Sequence, residues 1–193
     1  MNKINIDAFS TLITIYENFI SKDECLNLFS YCKNKEANAK NQFYGEGRSS
    51  FSLSTHLLDE IKNDLKIKIQ SKLDEYAYEF GIEDVSITNS WFNIQDNESM
   101  LKQHAHENSI FSGALYINVD EQSSELYFEN PNPFVSYFNF SKKIVNPNKF
   151  SSSIFKVSPQ VGQLVIFPSW VKHGSNYEKN NTKDRMVISF NSL

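Results

Sequence analysis

The sequence predicts a mainly β domain with flanking α structure: a double-stranded β-helix, or jelly roll, with N-terminal helices packed on one sheet. Three observations carry this reading. Helical periodicity is confined to the first 84 residues, whereas from Val85 onward eight short strand-like runs follow one another, separated by Asn, Gly, Pro and Ser turns. With 193 residues, 40% hydrophobic and 14% aromatic, including 16 Phe and 9 Tyr, the chain can bury a sizeable core without covalent staples. No internal repeat is evident. We read 1–193 as a single domain, with 1–84 a strand and helical flank and 85–193 the jelly-roll core.

Taken in order, Thr11 to Tyr16 is an opening strand. Ser21-Lys-Asp-Glu24 is a capping-box pattern, in which the Ser side chain satisfies an orphan amide and Glu24 reaches back. Cys25, Leu28, Phe29 and Cys32 then share one helical face. The polar stretch from Asn34 to Ser54 reads as a surface connector. Leu58, Ile61, Leu65, Ile69, Leu73, Tyr76 and Phe80 recur at helical spacing and predict one long helix from His56 to Phe80, stopping at Gly81. The strand-like runs are Val85–Gln95, Lys102–Glu107, Ser112–Val119, Glu125–Glu129, Phe134–Phe140, Ile154–Val157, Gln163–Phe167 and Met186–Phe190.

Charge and cysteine usage exclude several classes. The net charge of −4 is interspersed and no basic stripe occurs, which argues against nucleic acid as a partner. Cys25 and Cys32 lie seven residues apart on a predicted helix, about 10 Å along its axis, beyond disulfide reach. They are expected to be core thiols, which suits a reducing, cytoplasmic setting. No apolar N-terminal run resembles a secretory signal, and no stretch approaches transmembrane length, so no membrane partner is expected. A homodimer is compatible with the sequence.

Chemistry concentrates in a few rare residues. The chain has four His and two Arg, and three of those His fall in one pattern with one of the Arg: His104-Ala-His106, His173 and Arg185. On a strand, residues two apart point the same way, so His104 and His106 can aim at one ion. Neutral imidazole suits Fe, Zn, Cu and Ni, and three protein ligands leave coordination positions open. Gly162 to Gly174 reads as a turn glycine, a buried strand ended by Pro168, and a bend that delivers His173. Arg185, Val187, Ser189 and Asn191 then alternate with Met186, Ile188 and Phe190. One face is apolar, so the face that starts with Arg185 should look into a cavity. His56, near a helix start, is assigned no role.

The motifs Trp91-Phe-Asn93, His104-Ala-His106, Ser112-Gly-Ala-Leu-Tyr116, Gly162-Gln-Leu-Val-Ile-Phe-Pro168 through His173, and Arg185 through Ser189-Phe-Asn191 stand in the order of a known signature. By them the chain resembles the 2-oxoglutarate- and iron(II)-dependent oxygenases, and more narrowly a small family of them found in bacteria and phages. The resemblance covers about residues 88 to 193. It implies an enzyme, a dioxygenase or hydroxylase, in which His104, His106 and His173 are catalytic metal ligands for Fe(II). Arg185 would pair with the distal carboxylate of 2-oxoglutarate, a task for a two-pronged planar donor, and Tyr116, Asn93 and Ser189 would complete the cosubstrate site. Decarboxylation of 2-oxoglutarate to succinate would be coupled, with dioxygen, to oxidation of a C–H bond in a small molecule or a protein side chain.

Two positions depart from the wider superfamily. His106 stands where an acid usually completes a two-His, one-carboxylate triad, which leaves the site one charge more positive. Glu107 would point to the other strand face, and a register with His106 first and Asn108 in the acid's place stays open. Val187 stands where an Arg-x-Ser clamp would have Ser, so a Tyr or another Ser must assist. Two alternatives remain from the residues themselves. A cupin-like metalloprotein would share the fold and the His pattern without using 2-oxoglutarate, although Ile110 and Phe111 stand near where its motif wants Glu. A non-enzymatic jelly-roll binding module would leave three converging His unexplained.

Overall fold

The computed structural model describes residues 3–4, 8–35, 37–39, 42–61, 64–135, 144–175 and 177–193. Its strands are β1 (Thr14–Tyr16), β2 (Asn38–Ala39), β3 (Phe43–Tyr44), β4 (Gly47–Ser49), β5 (Ile87–Gln95), β6 (Met100–Leu101), β7 (Phe111–Asn118), β8 (Leu126–Glu129), β9 (Ile154–Val157), β10 (Leu164–Pro168), β11 (His173–Gly174) and β12 (Arg185–Ser192). The helices are α1 (Lys22–Lys33), α2 (Leu57–Glu60) and α3 (Leu65–Tyr78). A seven-stranded sheet runs β1-β10-β7-β12-β5-β4-β2, a three-stranded sheet runs β11-β8-β9, and β3 pairs with β6. The strand pairs are antiparallel. No helix among the described residues is long and apolar enough to cross a membrane.

The large sheet has two unlike faces. Toward the helices, Phe92, Ile94, Leu115, Ile117, Leu164, Ile166, Met186, Ile188 and Phe190 pack against Cys25, Leu28 and Cys32 of α1, Leu57 and Leu58 of α2, and Ile69, Leu73 and Tyr76 of α3. Toward the small sheet, Ala114, Tyr116, Val165, Phe167 and Val187 meet Leu126, Phe128 and Val157. Period-two alternation along β7, β10 and β12 produces this division. The α1 capping box forms as expected: the Ser21 side chain accepts from the Glu24 amide, and the Glu24 carboxylate accepts from the Ser21 amide at 2.8 Å. Gly162 lies at φ 79°, and a Cβ there would sit 2.3 Å from the Ile20 carbonyl oxygen, so the turn into β10 needs glycine.

Several expectations are corrected. The single helix from His56 to Phe80 is two, α2 and α3, and the start of α2 is held by the sheet: Ser90 Oγ of β5 accepts from the Leu58 amide at 2.9 Å and the Ser90 amide donates to the Thr55 carbonyl at 2.7 Å. Ile61 then turns extended, with ψ 113°. Both helices bury apolar residues against the same sheet, so the spacing carries across the break. The stretch Asn34 to Ser54 is no surface connector, for it supplies β2 and β4 to the large sheet and β3 to the hairpin with β6. Its strands of two or three residues are too short to show alternation. The expected strand Lys102–Glu107 does not form: β6 ends just before it, at Leu101, and within it only one isolated bridge remains, between His104 and His173. The expected strand Phe134–Phe140 falls, beyond residue 135, outside the described residues. The opening strand is shorter than expected, starting at Thr14 rather than Thr11, and the remaining expected strands match within one or two residues at each end.

Candidate active site

The histidine pair gains its shared direction from its partner segment. The His104 amide donates to the His173 carbonyl at 3.0 Å, and the His173 amide returns to the His104 carbonyl at 2.8 Å. Two residues on, the His106 amide donates to the Ser169 carbonyl at 2.9 Å. Four residues of the partner therefore face two, because the chain turns between Pro168 and Val171, whose amide donates to the Pro168 carbonyl at 3.1 Å. No regular ladder can form there, yet all three rings converge. Their centroids lie 4.5 to 5.0 Å apart, and one nitrogen from each falls within 4.8 Å of the others. Among the described residues no carboxylate joins this cluster. Glu107 and Asn108 lie in a turn at the cavity rim, Asn108 at φ 61°.

Each ring is oriented by what its Nδ1 touches. His104 Nδ1 faces the Lys102 carbonyl at 2.8 Å and His173 Nδ1 faces the Val171 carbonyl at 2.9 Å. A carbonyl only accepts, so Nδ1 carries the proton and the lone pair is left on Nε2. His106 Nδ1 contacts the Asn191 side-chain oxygen and lies 3.0 Å from Ser112 Oγ. Ser112 Oγ in turn donates to Asn191 Oδ1 at 2.8 Å and shares a 2.7 Å hydrogen bond with Ser169 Oγ. Burial, with His104 and His106 alongside, pushes the His173 imidazole well below its ordinary pKa, which leaves it neutral. Three imidazoles whose Nδ1 atoms are held by outer partners fit a divalent metal such as Fe(II).

The cavity floor is a set of rungs on β5, β12 and β7: Gln95 with Arg185; Asn93, Val187 and Tyr116; Trp91, Ser189 and Ala114; Asn89, Asn191 and Ser112. His104, His106, His173, Arg185, Tyr116, Asn93 and Ser189 all line this cavity of about 390 Å³. Arg185, 5% exposed, donates to Gln95 Oε1 at 2.7 Å and to the Ser124 carbonyl at 3.2 Å, while its Nε has no partner. Its guanidinium lies 5.5 Å from the Tyr116 ring centroid. Burial lowers its pKa, with Tyr116 opposing, yet a guanidinium stays charged in a protein. Burial raises the Tyr116 phenol, with Arg185 opposing. Buried cations are ordinarily paired, and this one has no carboxylate within ion-pair distance among the described residues. Such a site fits the carboxylate of a ligand.

Ser189 is not beside Arg185. It lies two rungs away, where its Oγ accepts from Asn93 Nδ2 at 3.2 Å, and Asn93 Oδ1 is buried without a partner. Val187 fills the rung between Arg185 and Ser189, so the residue flanking the guanidinium is Tyr116. Residue-level reading missed Gln95 as the partner of Arg185 and Asn191 as the partner of His106. Asn191 could have been found, since it shares the Arg185 face of β12. Gln95 could not, because its pairing joins residues 90 apart in sequence.

No curated protein matches the chain by sequence. Among solved structures, HygX from Streptomyces hygroscopicus with nickel and 2-oxoglutarate bound has a TM-score of 0.63 at 10% identity, covering 94% of this chain and 82% of that one. A Pseudomonas putida prolyl-4-hydroxylase has a TM-score of 0.59 at 15% identity, covering 96% and 94%. A Trichoplax adhaerens prolyl hydroxylase, in complex with a hypoxia inducible factor peptide fragment, has a TM-score of 0.61 at 13% identity, covering 94% and 83%. At such identities these likenesses speak for the fold. The family model described as "Putative 2OG-Fe(II) oxygenase" matches residues 89–191, more than half of the chain and a span that contains the three converging histidines and Arg185. This chain belongs to the 2-oxoglutarate/Fe(II) oxygenase family.

Proposed function

We propose that the chain is a hydroxylase in which His104, His106 and His173 hold the iron and Arg185 binds the distal carboxylate of 2-oxoglutarate. The observation that carries this is the pairing, in one cavity, of three convergent imidazoles with a buried guanidinium that has no anion beside it among the described residues. Bound iron, with 2-oxoglutarate and dioxygen, supplies the oxidation of an unactivated C–H bond, with succinate and CO2 as coproducts. The chain's own groups do the rest. Asn191, Ser112 and two backbone carbonyls hold the rings and their tautomers. Tyr116 walls the guanidinium from water. Asn93 and Ser189, which line the same cavity, would complete the cosubstrate site.

A cavity of about 390 Å³ is at the small end of ligand sites. Once the five-carbon dicarboxylate occupies its floor, the space left near the histidines suits a single side chain or a small ring, as in a prolyl residue, an amino acid or a small metabolite. Phe43, Phe51 and Trp91 also line the cavity, with Phe51 edge-on to Trp91 at 4.9 Å. The two buried free thiols suit a reducing compartment, and we place the enzyme in the cytoplasm.

Anaerobic addition of Fe(II) and 2-oxoglutarate should give the weak visible charge-transfer band of a chelated keto acid, and aerobic turnover should release succinate slowly without any second substrate. A metal-loaded protein with no such band and no affinity for 2-oxoglutarate would favour a cupin-like metalloprotein. Iron affinity unchanged in His173→Ala would overturn the ligand assignment.

A further inference from the structure

Gln95 is 2% exposed and sits directly across the β5–β12 pair from Arg185. A guanidinium only donates, so the carboxamide oxygen must face it and the amide nitrogen must turn away. That nitrogen reaches Ser175 Oγ over a long 3.5 Å, and the same Oγ accepts from the Leu101 amide at 2.9 Å. Ser175 lies two residues past His173. Its segment is pinned by its own amide donating to the Leu101 carbonyl at 2.8 Å, and by Gly174, where a Cβ would come 2.7 Å from that carbonyl oxygen.

Among the described residues every direct partner of Arg185 is neutral: the Gln95 amide, the Ser124 carbonyl and the Tyr116 ring. Glu178 acts on it only through space, its carboxylate being taken by the Tyr127 hydroxyl and the Glu125 amide. Glu has the shape of Gln and would complete an ion pair at this place. With Gln there instead, the guanidinium is held in position but its charge is not cancelled, and the compensation a buried cation needs must come from the ligand.

We propose that Gln95 is a positioning residue for 2-oxoglutarate, fixing Arg185 while reserving its charge for the distal carboxylate, and tying its orientation through Ser175 to the segment that carries His173. This rests on the assignment of Arg185 above. Gln95→Glu supplies an internal anion of the same shape, so the variant should bind Ni(II) like the parent and melt at the same or a higher temperature. Its 2-oxoglutarate affinity, measured by calorimetry on the Ni(II) form, should fall roughly a hundredfold, as for a ligand competing with a buried ion pair. A merely structural Gln95 would instead lower the melting temperature and leave affinity in proportion to folded protein.

Parental affinity in folded Gln95→Glu, with affinity lost in Arg185→Gln, would overturn the role of Gln95 and leave the clamp standing. Affinity retained in Arg185→Gln would overturn the clamp itself. Should Gln95→Glu fail to fold, Gln95→Met removes the acceptor without adding charge. It should raise the KM for 2-oxoglutarate in uncoupled succinate formation by about tenfold, with kcat moving much less. An unchanged KM in that variant would sink the proposal.

Discussion

Strand β12 shows two chemistries on its two sides. Met186, Ile188 and Phe190 are fully buried against the helices, whereas Arg185, Val187, Ser189 and Asn191 face the cavity between the sheets. The helix side is satisfied by contact alone: Phe190 lies so close to Gly113 that a Cβ there would meet its ring at 2.2 Å. The cavity side is left incomplete, with Arg185 Nε, Asn93 Oδ1 and Asn89 Oδ1 buried and unpartnered. Apolar packing closes on itself, and polar groups without partners wait for a ligand. One strand therefore packs the core through one face and, in the proposed function, binds through the other.

Substitutions can break this division if it is wrong. The largest effect expected is on the helix side, where Phe190→Ala should cost about 3–5 kcal/mol of unfolding free energy in denaturant titrations, with 2-oxoglutarate affinity of the remaining folded protein little changed. On the other side, Arg185→Ala should weaken 2-oxoglutarate by at least roughly a hundredfold in anaerobic titrations, as expected when a buried charge partner is removed, while metal binding persists. Asn191→Ala removes one of the two outer partners of His106, leaving Ser112, and should lower Fe(II) or Co(II) affinity by about 10–100-fold. If Asn191→Ala destabilised the fold as much as Phe190→Ala does, the two faces would not be functionally distinct.

Away from both faces, Ser21→Ala should cost about 1 kcal/mol by loss of the α1 cap. The Ser21 amide, then Lys68, hold the Glu24 carboxyl down to about 2. A lowered carboxyl stabilises the fold above its unfolded pKa, so this contribution should be full near neutrality and fade as the pH falls from the ordinary carboxyl range toward about 2. Glu24 is partly exposed, so solvent screens the effect and the change in melting temperature should be small. Smallest of all, Cys25 and Cys32 are buried and pushed up to about 11 and about 12 by burial. Native protein at mildly alkaline pH should resist thiol reagents, and unfolded protein should react at both.

Much of the fold was legible because its signals are local. The α1 capping box, the shared face of Cys25, Leu28 and Cys32, and the alternation of β12 each span a few residues. The helix between His56 and Phe80 misled for the same reason: its apolar spacing is local and carries across the break, where Ile61 leaves the helical region. Short strands such as β2 and β4 carry no pattern and appear only once β5 offers them an edge.

The candidate site divides in the same way. Residue identities and the order of motifs singled out three imidazoles and a guanidinium as candidates for one metal and 2-oxoglutarate site, since rare residue types at set spacings need no coordinates. How they meet was decided by tertiary structure. The direction of His106 depends on Ser169 and Asn191, and the uncancelled charge of Arg185 depends on Gln95. These contacts join residues 63 to 90 positions apart in sequence. Register between distant strands is set by packing of the whole sheet, so only the folded chain could show which neutral groups surround the charge and which polar atoms are left for a ligand.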